Sequence, residues 1–335
     1  MVTRIGVLIL QLGTPDEPTP GAVRRYLREF LGDPRVIEAP RLQWWFVLNL
    51  LILPGRAPES AAKYARIWDA HTGSPLLHIT RLQAQALERA LPEGFVVRCG
   101  MRYGNPPIDQ ALTELAAAGA DRIVALPMYP QYSGASTATA CDRLFQALSR
   151  CRYMPALRVV PPFFASTEYI RAQAGLVRRM LANLDQAPQK IVFSFHGYPV
   201  EFVEKGDPYR KQVEETSRLL AAELKLGDGE WLLTFQSRFG RDVWLEPYTE
   251  ETLCALARQG VRRVLVASPG FTTDCLETID EVGREVAEAF QRAGGEQLVR
   301  CPCLNDDPAW IEAMKQLVLT ESQGWYSPDG QGGSQ

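Results

Sequence analysis

Along the chain, short uninterrupted apolar runs alternate with longer stretches in which apolar residues recur every three or four positions. The clearest short runs are Ile5–Leu10, Ile123–Leu126, Ile191–Phe195 and Val264–Ala267. A half-exposed strand would alternate apolar with polar, so continuous runs predict parallel strands covered on both faces. The longer stretches predict helices over Ala22–Phe30, Ile79–Ala90, Ile108–Ala117, Glu168–Leu181, Tyr209–Leu224, Thr249–Ala257 and Leu276–Arg292. Strand–helix alternation of this kind predicts an α/β fold of two doubly wound, Rossmann-like lobes, with a cleft at the carboxyl ends of the parallel strands.

The chain also echoes itself. LAAAGADRIVALP from Leu115 has a counterpart in LARQGVRRVLVASP from Leu256, with Gly119 and Gly260 lying 141 positions apart. MRYG from Met101 answers SRFG from Ser237, and Gly13-Thr14-Pro15 answers Gly197-Tyr198-Pro199. Three echoes in one order favour two related lobes over generic strand–turn–helix grammar. Gly13 precedes Arg102 by 89 positions, whereas Gly197 precedes Arg238 by only 41, so the first lobe holds an insertion of about 48 residues. It is placed at about 34–75, and it carries the apolar run WWFVLNLLILP from Trp44. That run reads equally as an inward-facing helix or as an apolar lip over a flat ligand or against a membrane surface.

A length of 335 residues accommodates two domains, and 46% hydrophobic with 22% charged residues is the balance of a globular protein. The expected division is 1–160 for the first lobe, 161–319 for the second, and a Gly/Ser/Gln-rich tail at 320–335 expected to be disordered. A net charge of −3 offers no general attraction to nucleic acid. The longest apolar run falls short of the roughly 20 residues a membrane span needs. The segment from Met1 to Leu12 reads as a first strand rather than a signal peptide, and seven cysteines without a CxxC read as reduced thiols in a cytoplasm. No glycine fingerprint for a dinucleotide or nucleoside triphosphate is present.

Candidate chemistry gathers at two strand ends. His196 follows the run Ile191–Phe195 directly, where this fold class faces its cleft, and an imidazole there can take a proton or ligate a divalent metal. The competing reading is a satisfied structural histidine. After the matching run Val264–Ala267 comes PGFTTDCLETIDEVGRE from Pro269, with Asp274 as a plausible helix N-cap and Glu277, Glu281 and Glu285 recurring every four residues. Four α-helical residues turn about 400°, so these carboxylates form a ridge drifting about 40° per step, which a local π-bulge would align better. A solvated acidic face is the bland alternative. One imidazole with hard carboxylates suits Fe2+ in passage better than a permanent zinc.

With these residues in hand the chain resembles the ferrochelatase family, in the style of its Gram-negative bacterial branch. The resemblance runs from Gly6 to about Leu319 through eight segments in the family order. They are LQLGTPDEPTPGAVRRYLREFLGDPRV, GSPL, MRYGNP, LPMYPQYS, SFHGYP, KGDPY, TFQSRFGRDVWLEPYTEETL and PGFTTDCLETIDEV. It implies Fe2+ insertion into protoporphyrin IX, a lyase reaction that ends heme biosynthesis. His196 and Glu277 would be the catalytic pair, and Glu281 and Glu285 would continue the metal route. Gln11, Leu12, Gly13, Arg102, Tyr103, Tyr129, Ser133, Trp244, Phe271 and Asp274 would be porphyrin-pocket residues.

The resemblance implies porphyrin and Fe2+ as the only partners, both substrates, with no nucleic acid and no permanent cofactor. The protein would be a monomer or homodimer, and peripheral membrane contact through the lip is left open. Some relatives hold an iron–sulfur cluster through a Cys after the YPQYS segment and a Cys-rich tail. Here Gly134 follows Ser133 and no Cys follows Cys303, so no cluster is expected. The rival functions are a coproporphyrin or cobalt chelatase and a porphyrin carrier without turnover.

Overall fold

A computed structural model describes residues 4–240 and 242–326. It contains two four-stranded sheets. The first holds β1 (Arg4–Thr14), β2 (Phe95–Gly104), β3 (Ala120–Pro127) and β4 (Ala156–Val159), in the order β2-β1-β3-β4. The second holds β5 (Lys190–His196), β6 (Trp231–Gln236), β7 (Arg263–Ala267) and β8 (Gln297–Arg300), in the order β6-β5-β7-β8. All the pairings within the two sheets are parallel, and each lobe's first strand lies inside its sheet. The expected pair of doubly wound lobes is therefore present.

The uninterrupted apolar runs have a direct cause. Along β1, Val7 and Ile9 join a core that also holds Ile191, Phe193 and Phe195 of β5. Leu8 and Leu10 point the other way, onto Ile108, Leu112 and Leu115. Both faces of the strand are buried, so neither face tolerates a polar residue, and each such side chain contributes about 1.5–3 kcal/mol. One hydrophobic core runs through both sheets.

Two of the sequence echoes have structural counterparts. Gly119 (φ +84°) and Gly260 (φ +96°) each follow a helix in the left-handed conformation that ends it. Gly13 and Gly197 each sit where the neighbouring strand's backbone passes close. A Cβ would strike the Tyr103 carbonyl oxygen at Gly13 and lie 2.7 Å from the Gln236 carbonyl oxygen at Gly197. The third echo is out of register. Gln236 of β6 lies opposite His196, so Arg238 falls two residues beyond the strand, whereas Arg102 lies within β2.

The insertion turns one apolar face inward and leaves another exposed. Helix Arg41–Phe46, a π-helical stretch Val47–Ile52 and helix Leu53–Ile67 follow one another without a break. Leu48 and Leu53 are buried against Tyr26, Leu31 and Tyr64. Leu42, Trp45, Phe46, Leu50 and Leu51 face outward, with Leu51 73% exposed. Among the described residues no helix is long and apolar enough to cross a membrane.

The tail expectation needs correction over its first part. Helix Pro308–Glu321 runs past position 320 and packs back against helices Pro75–Ala90 and Thr167–Ala182. Beyond it, the Arg158 guanidinium lies 4.2 Å from the Trp325 ring centroid, and Tyr326 meets Phe95 edge-on at 5.5 Å. Two aromatic anchors hold a segment whose Gly/Ser-rich composition hid them. Residues 327–335 lie outside the described residues.

Candidate active site

A cavity of 840 Å³ opens at the carboxyl ends of the strands and takes its walls from both lobes. That is a size for a single large organic ligand. From the second lobe, β5 delivers His196 as its last residue. The Tyr209 hydroxyl fixes the backbone there by donating to the His196 carbonyl oxygen at 2.9 Å. Nδ1 of His196 lies 2.7 Å from the Gly197 carbonyl oxygen. A carbonyl oxygen only accepts, so Nδ1 carries the hydrogen and the neutral ring keeps its free lone pair on Nε2. The ring sits 6.3 Å from that of Phe271.

The loop after β7 leads into a helix that is π-helical from Glu277 to Val286. The wider π turn rotates less per residue than an α turn, which offsets the drift of a four-residue repeat. Glu277, Glu281 and Glu285 all line the cavity. Their surroundings differ along the ridge. Gln236 Nε2 donates to the Glu277 carbonyl oxygen at 3.0 Å, anchoring the first turn. The Glu277 carboxylate stands close to Tyr64 and Cys275. Burial first, and the Glu277 charge second, push both of those groups well above their ordinary pKa values.

Glu281 accepts hydrogen bonds from the Ser237 backbone N–H at 2.7 Å and from the Ser237 hydroxyl. Burial nevertheless pushes its carboxyl up to about 7, the Glu277 charge adding to the effect against the Ser237 bonds. Ser237 holds a left-handed backbone, φ +65°, to present both donors. Glu285 is paired with Lys63 at 2.8 Å and Arg284 at 3.0 Å.

The opposite walls bring together Gln11, Leu12, Gly13, Tyr129, Ser133, Phe271 and Trp244. Gln11 Nε2 donates to Thr273 Oγ1 at 3.4 Å, stitching the two lobes. Trp244 is 5% exposed and packs on Phe239 at 5.0 Å between centroids. The Tyr129 hydroxyl and the Trp244 indole N–H are buried without a hydrogen-bond partner among the described residues. Both atoms are shut off from the cavity as well as from the chain's own acceptors and donors, so they are unpaired inside the wall.

Three expected pocket residues lie behind the wall instead of in it. Arg102 pairs with Asp33, donates from Nε to Thr139 Oγ1 at 2.7 Å, and stacks over the Tyr103 ring at 4.3 Å. Tyr103 is fully buried and donates to Asp33 Oδ2 at 2.9 Å. Asp274 does not cap the helix through its N–H groups. It takes Arg300 Nη1 at 2.6 Å, Thr278 Oγ1 at 2.8 Å and Asn305 Nδ2 at 2.9 Å. All three side chains are committed to the scaffold.

The sequence reading missed a helix face. Arg56, Glu59, Ser60, Lys63, Tyr64 and Ile67 line the cavity from helix Leu53–Ile67, at spacings that show one helical stripe. Tyr26 and Ser74 were also missed. So was the service of Asp207 in KGDPY, whose Oδ2 accepts from Gly134 N at 2.7 Å and Tyr198 OH at 2.8 Å, tying the lobes at the cavity.

Known proteins resemble this chain in sequence and in fold. The ferrochelatase family model matches residues 4–322. Ferrochelatase of Rhodopseudomonas palustris strain TIE-1 is 47% identical, with 96% of this chain and 94% of that protein covered. Ferrochelatase of Herminiimonas arsenicoxydans is 49% identical, covering 96% and 88%. The solved structure of SirB from Bacillus subtilis with Fe3+ superposes with a TM-score of 0.56 at 14% identity, over 98% of both chains. At that identity it speaks for the fold alone. Family model and relatives span nearly the whole chain, and the protein belongs to the ferrochelatase family.

Proposed function

We propose that this protein inserts Fe2+ into protoporphyrin IX to form protoheme, with His196 and Glu277 handling metal and protons at the reacting centre. The observation that carries this reading is the company the two residues keep. An imidazole with Nε2 free and a carboxylate ridge line one cavity whose other walls include Leu12, Tyr26, Phe30, Tyr64, Trp244 and Phe271. A flat macrocycle needs apolar area, and a divalent ion needs an imidazole or carboxylate oxygen.

Metal insertion releases two pyrrole protons. A free imidazole nitrogen accepts one at neutral pH, and a carboxylate beside the ring accepts the other. Binding energy from the apolar walls supplies the distortion that turns pyrrole lone pairs toward the metal. Arg56 and Arg238, both exposed at the cavity, suit the carboxylates of porphyrin propionates. The outward face of the lip, Trp45 to Leu51, suits peripheral contact with a membrane that holds an apolar porphyrin.

The decisive assay is anaerobic metallation, followed by the Soret band, with protoporphyrin and coproporphyrin in parallel. His196→Ala and Glu277→Gln are each expected to cut turnover by at least about 100-fold, with the thermal midpoint preserved. Near-normal turnover in both variants refutes the assignment.

A further inference from the structure

The acidic ridge is not open along its length, because its outermost carboxylate already holds a cation of the protein's own. Lys63 Nζ lies 2.8 Å from Glu285 Oε1 and 3.1 Å from Oε2. Lys63 and Glu285 both line the cavity, and both side chains are about 30% exposed. The lysine comes from helix Leu53–Ile67, which leads directly out of the lip, while the carboxylate belongs to the π-helix of the other lobe.

The neighbouring cation is held differently. Arg284 sits on the π-helix itself and grips buried Asp280 through Nε at 2.6 Å and Nη2 at 3.1 Å. Its fork is already committed, whereas Lys63, on four flexible methylenes, forms its one ion pair within 4 Å among the described residues with Glu285 and acts on Asp280 only from farther off. Of the two cations on Glu285, the lysine is therefore the one able to leave.

We propose that Lys63 is a tethered counter-cation that occupies the outer station of the carboxylate route and competes there with the entering divalent ion. An ammonium and a metal ion need the same two carboxylate oxygens, so one must yield. The ion pair keeps Glu285 from trapping cations at the mouth and makes passage inward depend on swinging the lysine aside. Because the lysine rides on the helix behind the lip, a shift of that helix would also release the station. This rests on reading the ridge as the metal route, so the test separates the two ideas.

Wild type, Lys63→Met, Lys63→Arg and Glu281→Gln are compared under anaerobic conditions, with Fe2+ and porphyrin each varied in turn. Lys63→Met is expected to lower KM for Fe2+ roughly two- to fivefold, the range of a half-exposed ion pair. KM for porphyrin should stay fixed and the effect should sit in KM rather than kcat. Lys63→Arg should return the metal KM toward wild type. Glu281→Gln should raise the metal KM, reporting on the route itself. If Glu281→Gln raises it while Lys63→Met leaves it unchanged or raises it, the lysine's competition is wrong and the route stands. If Glu281→Gln leaves it unchanged, the route fails and the lysine's part fails with it. A purely structural lysine would instead lower the thermal midpoint and shift both KM values together.

Discussion

At the end of β2, Arg102 is enclosed: Asp33, Thr139 and the Tyr103 ring account for its guanidinium. Just beyond the end of β6, Arg238 is exposed, paired with Glu251 and laid over the Tyr248 ring at 4.1 Å. The same contrast holds at the acids. Burial pulls the Asp33 carboxyl upward, but the Thr139 hydroxyl, the Arg35 backbone N–H, the Tyr103 hydroxyl and the Arg102 charge together hold it below the ordinary range. Glu281 has only a serine, and burial wins. Two lobes with one strand order have thus divided their labour. Around Arg102 the first lobe satisfies its charged groups and makes a wall, whereas around Glu281 the second leaves a buried carboxyl with too few donors to offset its burial.

The largest effect expected from this contrast is at Asp33. Asp33→Ala leaves the mostly buried Arg102 facing only the half-exposed Glu29 carboxylate, 3.9 Å away, and should cost about 3 kcal/mol in stability. The protein that remains folded should metallate porphyrin with little change, since neither Asp33 nor Arg102 lines the cavity. Denaturant midpoints alongside turnover per folded molecule check this. A stable variant without activity would place Asp33 in the chemistry and break the division.

A second effect turns on the opposite pH behaviour of the two acids. The Asp33 carboxyl is lowered on folding, so its stabilisation is complete above the ordinary carboxylate range and is lost as pH falls through the depressed value. The Glu281 carboxyl is raised to about 7, so its contribution is complete below the ordinary range and is lost as pH rises through 7. Glu281→Gln removes that dependence. Wild type should lose at most about 3 kcal/mol relative to the variant between pH 5 and pH 8. Parallel stability curves would show that Glu281 is already ionised and the ridge fully charged.

How much of this was legible beforehand depended on how local each signal was. His196 was legible because one strand run and the residue after it specify a strand end. The Glu277–Glu281–Glu285 ridge was legible because its period is carried by nine consecutive residues. Arg102, Tyr103 and Asp274 were misplaced because the groups that occupy them come from far away. Asp33 is 69 residues from Arg102, and Asn305 is 31 from Asp274. A sequence shows that an arginine can bind a carboxylate, but not that one has already taken it. The stripe Arg56–Ser60–Lys63–Ile67 was readable in principle, since helical spacing gives it, but the apolar run before it drew attention away. Trp325 and Tyr326 were hidden for the same reason as Asp33, their partners Arg158 and Phe95 lying far back in the chain.

The smallest expected effect lies in the lip, where the contrast is between two faces of one segment. Leu48 and Leu53 are buried and hold the insertion against Tyr26 and Tyr64, so replacing either by Ala should cost about 2–5 kcal/mol. Leu50 and Leu51 are exposed and touch little, so the pair Leu50→Ser and Leu51→Ser should shift stability by less than about 0.5 kcal/mol. If the outer face meets a bilayer, the same double change should still weaken co-sedimentation with phosphatidylcholine vesicles, because each buried CH2 is worth about 0.8 kcal/mol of transfer. A change that leaves folding alone yet reduces vesicle binding assigns the exposed leucines to the membrane. Equal sedimentation of both proteins would instead leave the exposed leucines with no part in membrane contact.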